Sequence, residues 1–319
     1  MRARFFAGLM GIVATPVAAE TPAPLPSTGF VDPSTETITL KEEGNRRLTL
    51  PVMIDGSGPY AFLIDTGSQA TAITHEIRSS LALAPAGTAL LVGMASRREV
   101  DLASVARIDF GANSFTNFSA PVLAREHVGA DGIIGLDALQ DLRVLLDFRQ
   151  QTITVEDTST KNTSTGFEII VRAHQKLGQL LITDALVEGV RTTVIIDTGA
   201  QASLGNNALR DRIKSKRASE ITTTDVNGVD LIGQVAVVRS LVIEGLALTD
   251  VPLAFADTPA FAALGLEDKP VLSLGMQHLA LFDRVAIDFG RQRVLFDVPR
   301  DVARAIRDAR RGNVINTRF

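Results

Sequence analysis

The sequence predicts an all-β protein, mainly strands with short helices, built from two similar lobes related by a pseudo-two-fold axis. Three observations support this prediction. A short segment occurs twice, as Phe62 to Ala70 and as Val194 to Ala202, and the second copy begins 132 residues after the first. Apolar, β-rich runs joined by turn residues precede both copies. Matching segments also follow both copies in the same order, and such a repeat indicates duplicated structural units.

The repeated segment is an apolar strand that ends in Asp-Thr-Gly and one small residue. The glycine lets each loop turn tightly and lets another backbone approach closely. Two carboxylates held in contact cannot both ionise, so they share one proton, and one can act as a base while the other acts as an acid. We therefore expect a catalytic pair of Asp65 and Asp197, in loops formed by Thr66, Gly67, Ser68, Thr198, Gly199 and Ala200.

The segments around each copy predict the strands in order. A hairpin precedes each aspartate, and an acidic residue followed by glycine marks its tight turn. A strand through a proline, an apolar step into a short helix and a final strand follow each aspartate. The hairpins are Leu48–Ile54 with Tyr60–Ile64 and Leu180–Val187 with Thr192–Ile196; the prolines are Pro121 and Pro252; the steps are Ile133–Leu136 and Ser273–Met276.

From roughly Leu48 to Val298 the chain resembles the aspartic proteases of the pepsin and retropepsin type. The lobe length, the absence of Cys and Trp, and an Ile-Ile-Gly before a short helix are more similar to retropepsins, which are homodimers with one aspartate per subunit. The resemblance implies two retropepsin-like lobes fused in one chain, a cleft between them, and an aspartic endopeptidase active as a monomer. The chain departs from pepsins at the flap tyrosine, because its single tyrosine, Tyr60, precedes the first Asp loop.

The resemblance also implies roles for the residues around the pair. Thr66 and Thr198 would lock the two loops together, and the Ser68 hydroxyl would donate to its carboxylate and favour the charged form, which Ala200 cannot do. The substrate, a protein or peptide, would bind as an added strand. Two flap hairpins would cover it, with tips near Gly93 and Met94 in the first lobe and near Asn227 and Gly228 in the second.

Composition narrows the function classes. A net charge of −4 argues against a nucleic-acid surface. There is no P-loop, dinucleotide fingerprint or zinc motif, the four histidines are widely separated, and cysteine is absent. We therefore expect no metal and no cofactor. His75 follows the first Asp loop and could be interpreted as a catalytic base. We interpret it as a surface helix residue, because its repeat counterpart, near Asn207, is not a base.

The N-terminus has the pattern of a secretory signal peptide, residues 1–19. Arg2 and Arg4 precede an apolar stretch, and small residues end at Ala19. The alternative is an uncleaved membrane anchor. Residues 20–30 are a Pro-rich tether. Export without cysteine means that stability depends on packing rather than on disulfides. We expect a bacterial periplasmic or secreted protein with no membrane span after cleavage.

Composition also divides the rest of the chain. The N-terminal lobe is predicted over residues 31–157, a polar Thr/Ser-rich linker over 158–165 and the C-terminal lobe over 166–298. Residues 299–319 form a basic tail in which Val302, Ile306 and Ala309 have helical spacing. This tail is either a contact surface for a partner or for anionic lipid, or a solvated helix packed on a lobe; we favour the helix.

Three function classes follow from these patterns. The first is an active aspartic endopeptidase, which would process envelope proteins. The second is a non-catalytic peptide-binding module on the same fold. The third is a structural duplication without a functional cleft. The presence of both Asp65 and Asp197 favours the first class, because a binding module needs neither carboxylate.

Overall fold

The computed structural model describes residues 11–13, 36–39, 41–43, 47–158, 166–214, 219–244, 246–300 and 303. Strands dominate these residues and the helices are short, so the predicted fold class is confirmed. The tether at 20–30 lies outside the described residues, as do 159–165 of the predicted linker and most of the basic tail. Within the predicted signal peptide, only Gly11–Val13 is described, as a strand.

The elements follow the chain in two similar series. The strands of the first series are β1 (Gly11–Val13), β2 (Glu36–Thr39), β3 (Lys41–Glu43), β4 (Arg47–Ile54), β5 (Ser57–Ile64), β6 (Ala72–Thr74), β7 (Pro85–Val92), β8 (Arg97–Phe110), β9 (Asn113–Leu123), β10 (Gly132–Ile134), β11 (Leu142–Asp147) and β12 (Thr152–Asp157). Its helices are α1 (His75–Ser80), α2 (Arg125–Val128) and α3 (Leu136–Leu139).

The second series repeats this pattern. Its strands are β13 (Ile169–Arg172), β14 (His174–Lys176), β15 (Gln179–Val187), β16 (Val190–Ile196), β17 (Leu204–Gly205), β18 (Ser219–Thr224), β19 (Asp230–Ile243), β20 (Leu246–Phe255), β21 (Val271–Leu274), β22 (Arg284–Asp288) and β23 (Arg293–Asp297). Its helices are α4 (Asn207–Arg210), α5 (Pro259–Ala263) and α6 (Met276–Leu279).

Tight turns at the predicted places form the hairpins that lead into the Asp loops. Between β4 and β5, Asp55 and Gly56 have φ values of 48° and 79°; between β15 and β16, Glu188 and Gly189 have φ values of 48° and 82°. Two successive positive φ angles match the twist of a two-residue hairpin, and an acidic residue followed by glycine tolerates them best. Both hairpins therefore form where their local sequence favours a turn.

The two lobes share one strand order. The first sheet runs β1-β7-β8-β9-β6-β10-β5-β4-β3, and β8 also pairs with β4. The second runs β14-β15-β16-β21-β17-β20-β19-β18, and β15 also pairs with β19. When the second order is written in reverse, from β18 to β14, each strand of the first sheet apart from β1 has a counterpart at the same position. The extra pairings fold each sheet back on itself, so each lobe encloses its own apolar side chains.

A third sheet joins the lobes. Its order is β13-β23-β22-β11-β12-β2, so three strands from the second half of the chain and three from the first half form one sheet with a common border. At its centre β11 pairs antiparallel with β22, which places Val144 opposite Ile287. Both side chains are buried in the main core. Backbone pairing and a shared core therefore fix one lobe against the other.

The ends of the described chain add little to this frame. Ala303 is buried in the main core, and its amide donates to the Pro299 carbonyl at 2.9 Å. Thr158, at the start of the predicted linker, donates its hydroxyl to the Asp141 carbonyl at 2.7 Å. Within the described parts of the chain, no helix has the length and apolar character needed to cross a membrane.

Candidate active site

Parallel strand pairs position the two aspartates. In the first lobe β10 pairs with β5, and the Asp65 amide donates to the Ile134 carbonyl at 3.0 Å. In the second lobe β21 pairs with β16, and the Asp197 amide donates to the Leu274 carbonyl at 3.1 Å. Each aspartate therefore begins a loop directly after a buried strand, supported from the side by the apolar step that follows later in the sequence.

The loops turn back on their own carboxylates. Asp65 Oδ1 accepts hydrogen bonds from the amides of Gly67 at 2.8 Å and Ser68 at 3.0 Å. Asp197 Oδ1 accepts equivalent bonds from the amides of Gly199 at 3.1 Å and Ala200 at 3.0 Å. Amide donors fix the orientation of a carboxylate and favour its charged form.

Two threonines lock the loops together across the lobes. Thr66 Oγ1 donates to the Ile196 carbonyl and Thr198 Oγ1 donates to the Ile64 carbonyl, both at 2.7 Å. Each hydroxyl also accepts the amide of the other threonine, at 3.0 and 3.2 Å. These four bonds are buried and reciprocal. A shift of one loop against the other would therefore break several of them together.

The locked loops bring the aspartates into one enclosed site. A β-carbon added at Gly199 would overlap the Asp65 carboxylate, so only glycine leaves room for that carboxylate against the opposite loop. Asp65 is 2% exposed and Asp197 is 0% exposed. Both carboxylates are therefore shielded from solvent in this structure.

Beside the second aspartate lies a hydroxyl that the sequence reasoning missed. Ser273, in β21, donates its hydroxyl to Asp197 Oδ2 at 2.7 Å. The predicted donor, the Ser68 hydroxyl, bonds instead to the Ala70 carbonyl at 2.8 Å, so that prediction is wrong. The acceptor is a backbone carbonyl of the same loop, two residues further along the chain. A polar residue in an otherwise apolar repeat position was the available signal for Ser273.

Gln179 is a second functional candidate that the sequence reasoning missed. It lies at the start of β15 in the second lobe and is 1% exposed. Its side-chain amide donates to the Gly67 carbonyl of the first lobe at 2.8 Å. This bond crosses between the lobes and supports the Asp65 loop from beneath. No feature of the local sequence points to this contact, which depends on how the lobes dock.

Behind the loops, the two lobes use different titratable groups at corresponding places. Thr71 accepts the Gly135 amide and donates to the Asp137 carboxylate at 2.7 Å. Burial raises the pKa of Asp137, although hydrogen bonds from Thr71 oppose the shift.

In the second lobe the corresponding hydroxyl, that of Ser203, contacts a histidine instead of a carboxylate. Ser203 accepts the Gly275 amide at 2.9 Å, and its oxygen lies 2.6 Å from His278 Nδ1. Burial lowers the pKa of His278 to about 4. The ring is therefore neutral near pH 7. Because the Ser203 oxygen already accepts the Gly275 amide, we assign the Ser203 hydroxyl as the donor and His278 Nδ1 as the acceptor of the bond between them.

Hairpin tips from both lobes meet above the site. The turn between β7 and β8 holds Gly93 and Met94, and the turn between β18 and β19 holds Asn227 and Gly228. The buried carboxylate of Asp225 joins them. Its Oδ1 accepts two amides of its own turn, and its Oδ2 accepts the Ala95 amide at 3.1 Å and the Ser96 hydroxyl at 2.8 Å.

Each tip also places an apolar side chain in the opposite lobe. Met94 is 1% exposed and packs in an apolar cluster whose other buried members come from the second lobe. Val226 packs in a cluster whose other buried members come from the first lobe. The two hairpin tips therefore cross between the lobes and contact each other.

His75, the histidine that could be interpreted as a base from the sequence, lies on the surface, whereas the two aspartates are buried. His75 is exposed and begins α1, and its counterpart Asn207 begins α4. Among the described residues, no group of three or more His, Cys, Asp or Glu side chains is arranged to hold a metal ion.

Fold and site together define a two-lobed β protein in which each lobe contributes an Asp-Thr-Gly loop to one enclosed centre. The family model described as aspartyl protease matches residues 50–138 and 183–278, one segment in each lobe and more than half of the chain. The chain belongs to this aspartyl protease family. Its two matched segments agree with two retropepsin-like lobes. A search of curated proteins finds no match.

Proposed function

We propose that the protein is an aspartic endopeptidase that hydrolyses peptide bonds with a water molecule activated by Asp65 and Asp197. The observation that carries this proposal is the reciprocal lock between Thr66 and Thr198, which holds two Asp-Thr-Gly loops in one buried centre. In such a centre the low dielectric strengthens the repulsion between two negative charges, so the pair retains one proton near the working pH.

The proposed reaction balances within this pair. The ionised aspartate takes a proton from water as the water oxygen bonds to the peptide carbonyl carbon. The protonated aspartate gives its proton to the carbonyl oxygen and so neutralises the developing charge. The carbon–nitrogen bond then breaks. The amine takes the proton from the first aspartate, and the second regains its proton from the diol. No covalent intermediate with the enzyme forms in this scheme.

The flaps support an extended peptide as the substrate. In the closed structure Met94 and Val226 cross between the lobes, so the tips must separate to admit a chain and can then close over it. An extended peptide beneath two hairpins can exchange main-chain hydrogen bonds with their edges. We further propose that the enzyme acts as a monomer, since one chain supplies both loops, and that it is exported to process envelope proteins.

A peptide library tests the proposal. The wild-type protein should cleave internal bonds, a pepstatin-like statine should block cleavage, and EDTA should leave it intact. Asp65→Asn and Asp197→Asn should each lose at least about a thousandfold in kcat while they remain folded, because either change removes one of two groups that act as a unit. Statine-sensitive peptide binding without cleavage would indicate the binding module instead. Cleavage blocked by EDTA alone would contradict the two-aspartate mechanism.

A further inference from the structure

Ser273 is held rigidly beside the second aspartate. It lies in β21 between two neighbouring strands, opposite Ile195 of β16 and opposite Leu204 of β17. It is 1% exposed, and its hydroxyl donates to Asp197 Oδ2 at 2.7 Å. Because the backbone of β21 is paired on both sides and water has no access, this hydroxyl cannot easily turn to another acceptor.

The first lobe has no hydroxyl at the equivalent place. Ile133 occupies it, opposite Leu63 of β5, just as Ser273 lies opposite Ile195 of β16. Ile133 is buried in an apolar cluster. The amide donors to Oδ1 are the same in both loops. Ser273 therefore gives Asp197 a donor that the corresponding residue of the other lobe cannot give Asp65.

A hydroxyl that donates to a carboxylate interacts more strongly with the charged form than with the neutral form. In a pair that shares one proton, a donor on one member shifts the proton to the other. We propose that Ser273 is a positioning residue that keeps Asp197 as the ionised member of the pair and directs the shared proton to Asp65. This assignment rests on the proposed function for its catalytic meaning. Asp197 would then take the proton from water, and Asp65 would protonate the carbonyl oxygen.

The inference differs from the expectation based on the loops alone. The Ser68 hydroxyl, which sequence reasoning assigned to this task, bonds to the Ala70 carbonyl and would favour charge on Asp65 if it turned toward the site. Ser273 acts on the opposite member of the pair. The two assignments therefore predict opposite roles for the aspartates and different sensitive residues.

The pH profile of kcat/KM separates these assignments. Ser273→Ala should move both limbs to higher pH by about half a unit to one unit, because the pair loses a donor to its charged form. A folded Ser273→Thr variant, which keeps a hydroxyl, should retain the wild-type limbs. Ser68→Ala should leave the limbs in place whatever it does to kcat. Unmoved limbs in Ser273→Ala, or moved limbs in Ser68→Ala alone, would overturn the inference.

A direct titration keeps the test independent of catalysis. Carboxyl-carbon NMR of protein labelled at aspartate can follow the pair in the wild type and in Ser273→Ala, with Asp65→Asn and Asp197→Asn used to assign the signals. The lower of the two macroscopic steps should belong mainly to Asp197 and should rise in Ser273→Ala. A lower step that belongs to Asp65 contradicts the inference. If the wild type cleaves no peptide, the proposed function fails, while this titration still decides the role of Ser273.

Discussion

The buried histidine behind the Asp197 loop should make the protein lose stability in weak acid. His278 is 4% exposed, and burial lowers its pKa to about 4, whereas a histidine in the unfolded chain has a pKa of 6.5. Between these two values the unfolded chain binds more protons than the folded one. The contribution of neutral His278 to stability is therefore complete above about pH 6.5, falls as the pH falls, and is lost below about pH 4.

The size of this effect follows from the shift. Each pKa unit corresponds to about 1.4 kcal/mol, so the full loss is up to about 3 kcal/mol, with a slope of at most about 1.4 kcal/mol per pH unit. Such a loss is a large fraction of the free energy of unfolding of a typical domain. Asp137 contributes with the opposite sign, because its raised pKa means that the folded state holds its proton more tightly.

The assay is urea unfolding of wild-type protein and His278→Gln at several pH values from about 4.5 to about 7.5, which cover most of the range between the folded and unfolded pKa values of His278. The difference between the two curves removes the contribution of Asp137 and other groups. The free energy of unfolding of the wild type should fall more steeply with acid than that of the variant. His75→Gln, which removes an exposed histidine, is the matched control and should keep the wild-type slope. Equal slopes for wild type and His278→Gln would show that His278 does not cause the loss of stability in acid.

Three further changes test the rest of the site. Thr198→Val removes a hydroxyl that serves both the Ile64 carbonyl and the Thr66 amide, and it should lower the free energy of unfolding by at least about 2 kcal/mol in urea titrations; an unchanged midpoint would contradict the lock. Asp225→Ala should speed hydrogen exchange at the Ala95 amide and raise KM more than it lowers kcat, because the flap tips lose their shared acceptor. Unaltered exchange would show that Asp225 does not hold the two tips together. Gly199→Ala should reduce kcat/KM by more than about a hundredfold, since its β-carbon would displace the Asp65 carboxylate, and near-wild-type activity would show that the loops lie farther apart.

Most of the fold could be predicted because its signals are local. Asp55 with Gly56 and Glu188 with Gly189 lie between β-rich runs, and glycine at the second position allows the positive φ angle of a tight turn. The repeat then gives the succession of strands along the chain in both lobes.

Contacts between distant segments could not be predicted in this way. The Ser273 hydroxyl reaches Asp197 because β21 pairs in parallel with β16 in one register, and a shift of one residue would turn it to the other face. The bond from Gln179 to the Gly67 carbonyl, and the bonds of Asp225 with the opposite hairpin tip, form only when the two lobes are docked in one orientation. The role expected of Ser68 came from the family resemblance, whereas in this chain its hydroxyl donates to the Ala70 carbonyl of its own loop.

The most direct measurement of the central claim, that one chain builds one catalytic pair, is a mixing experiment. Asp65→Asn and Asp197→Asn are purified separately, and peptide cleavage is measured for each variant, for an equimolar mixture, and for the wild type over a dilution series. We predict that both variants and their mixture are inactive and that the specific activity of the wild type stays constant on dilution, because the interlobe sheet and the threonine lock complete the pair within one chain. Activity that returns on mixing, or that falls steeply on dilution, would mean that the pair forms between two chains.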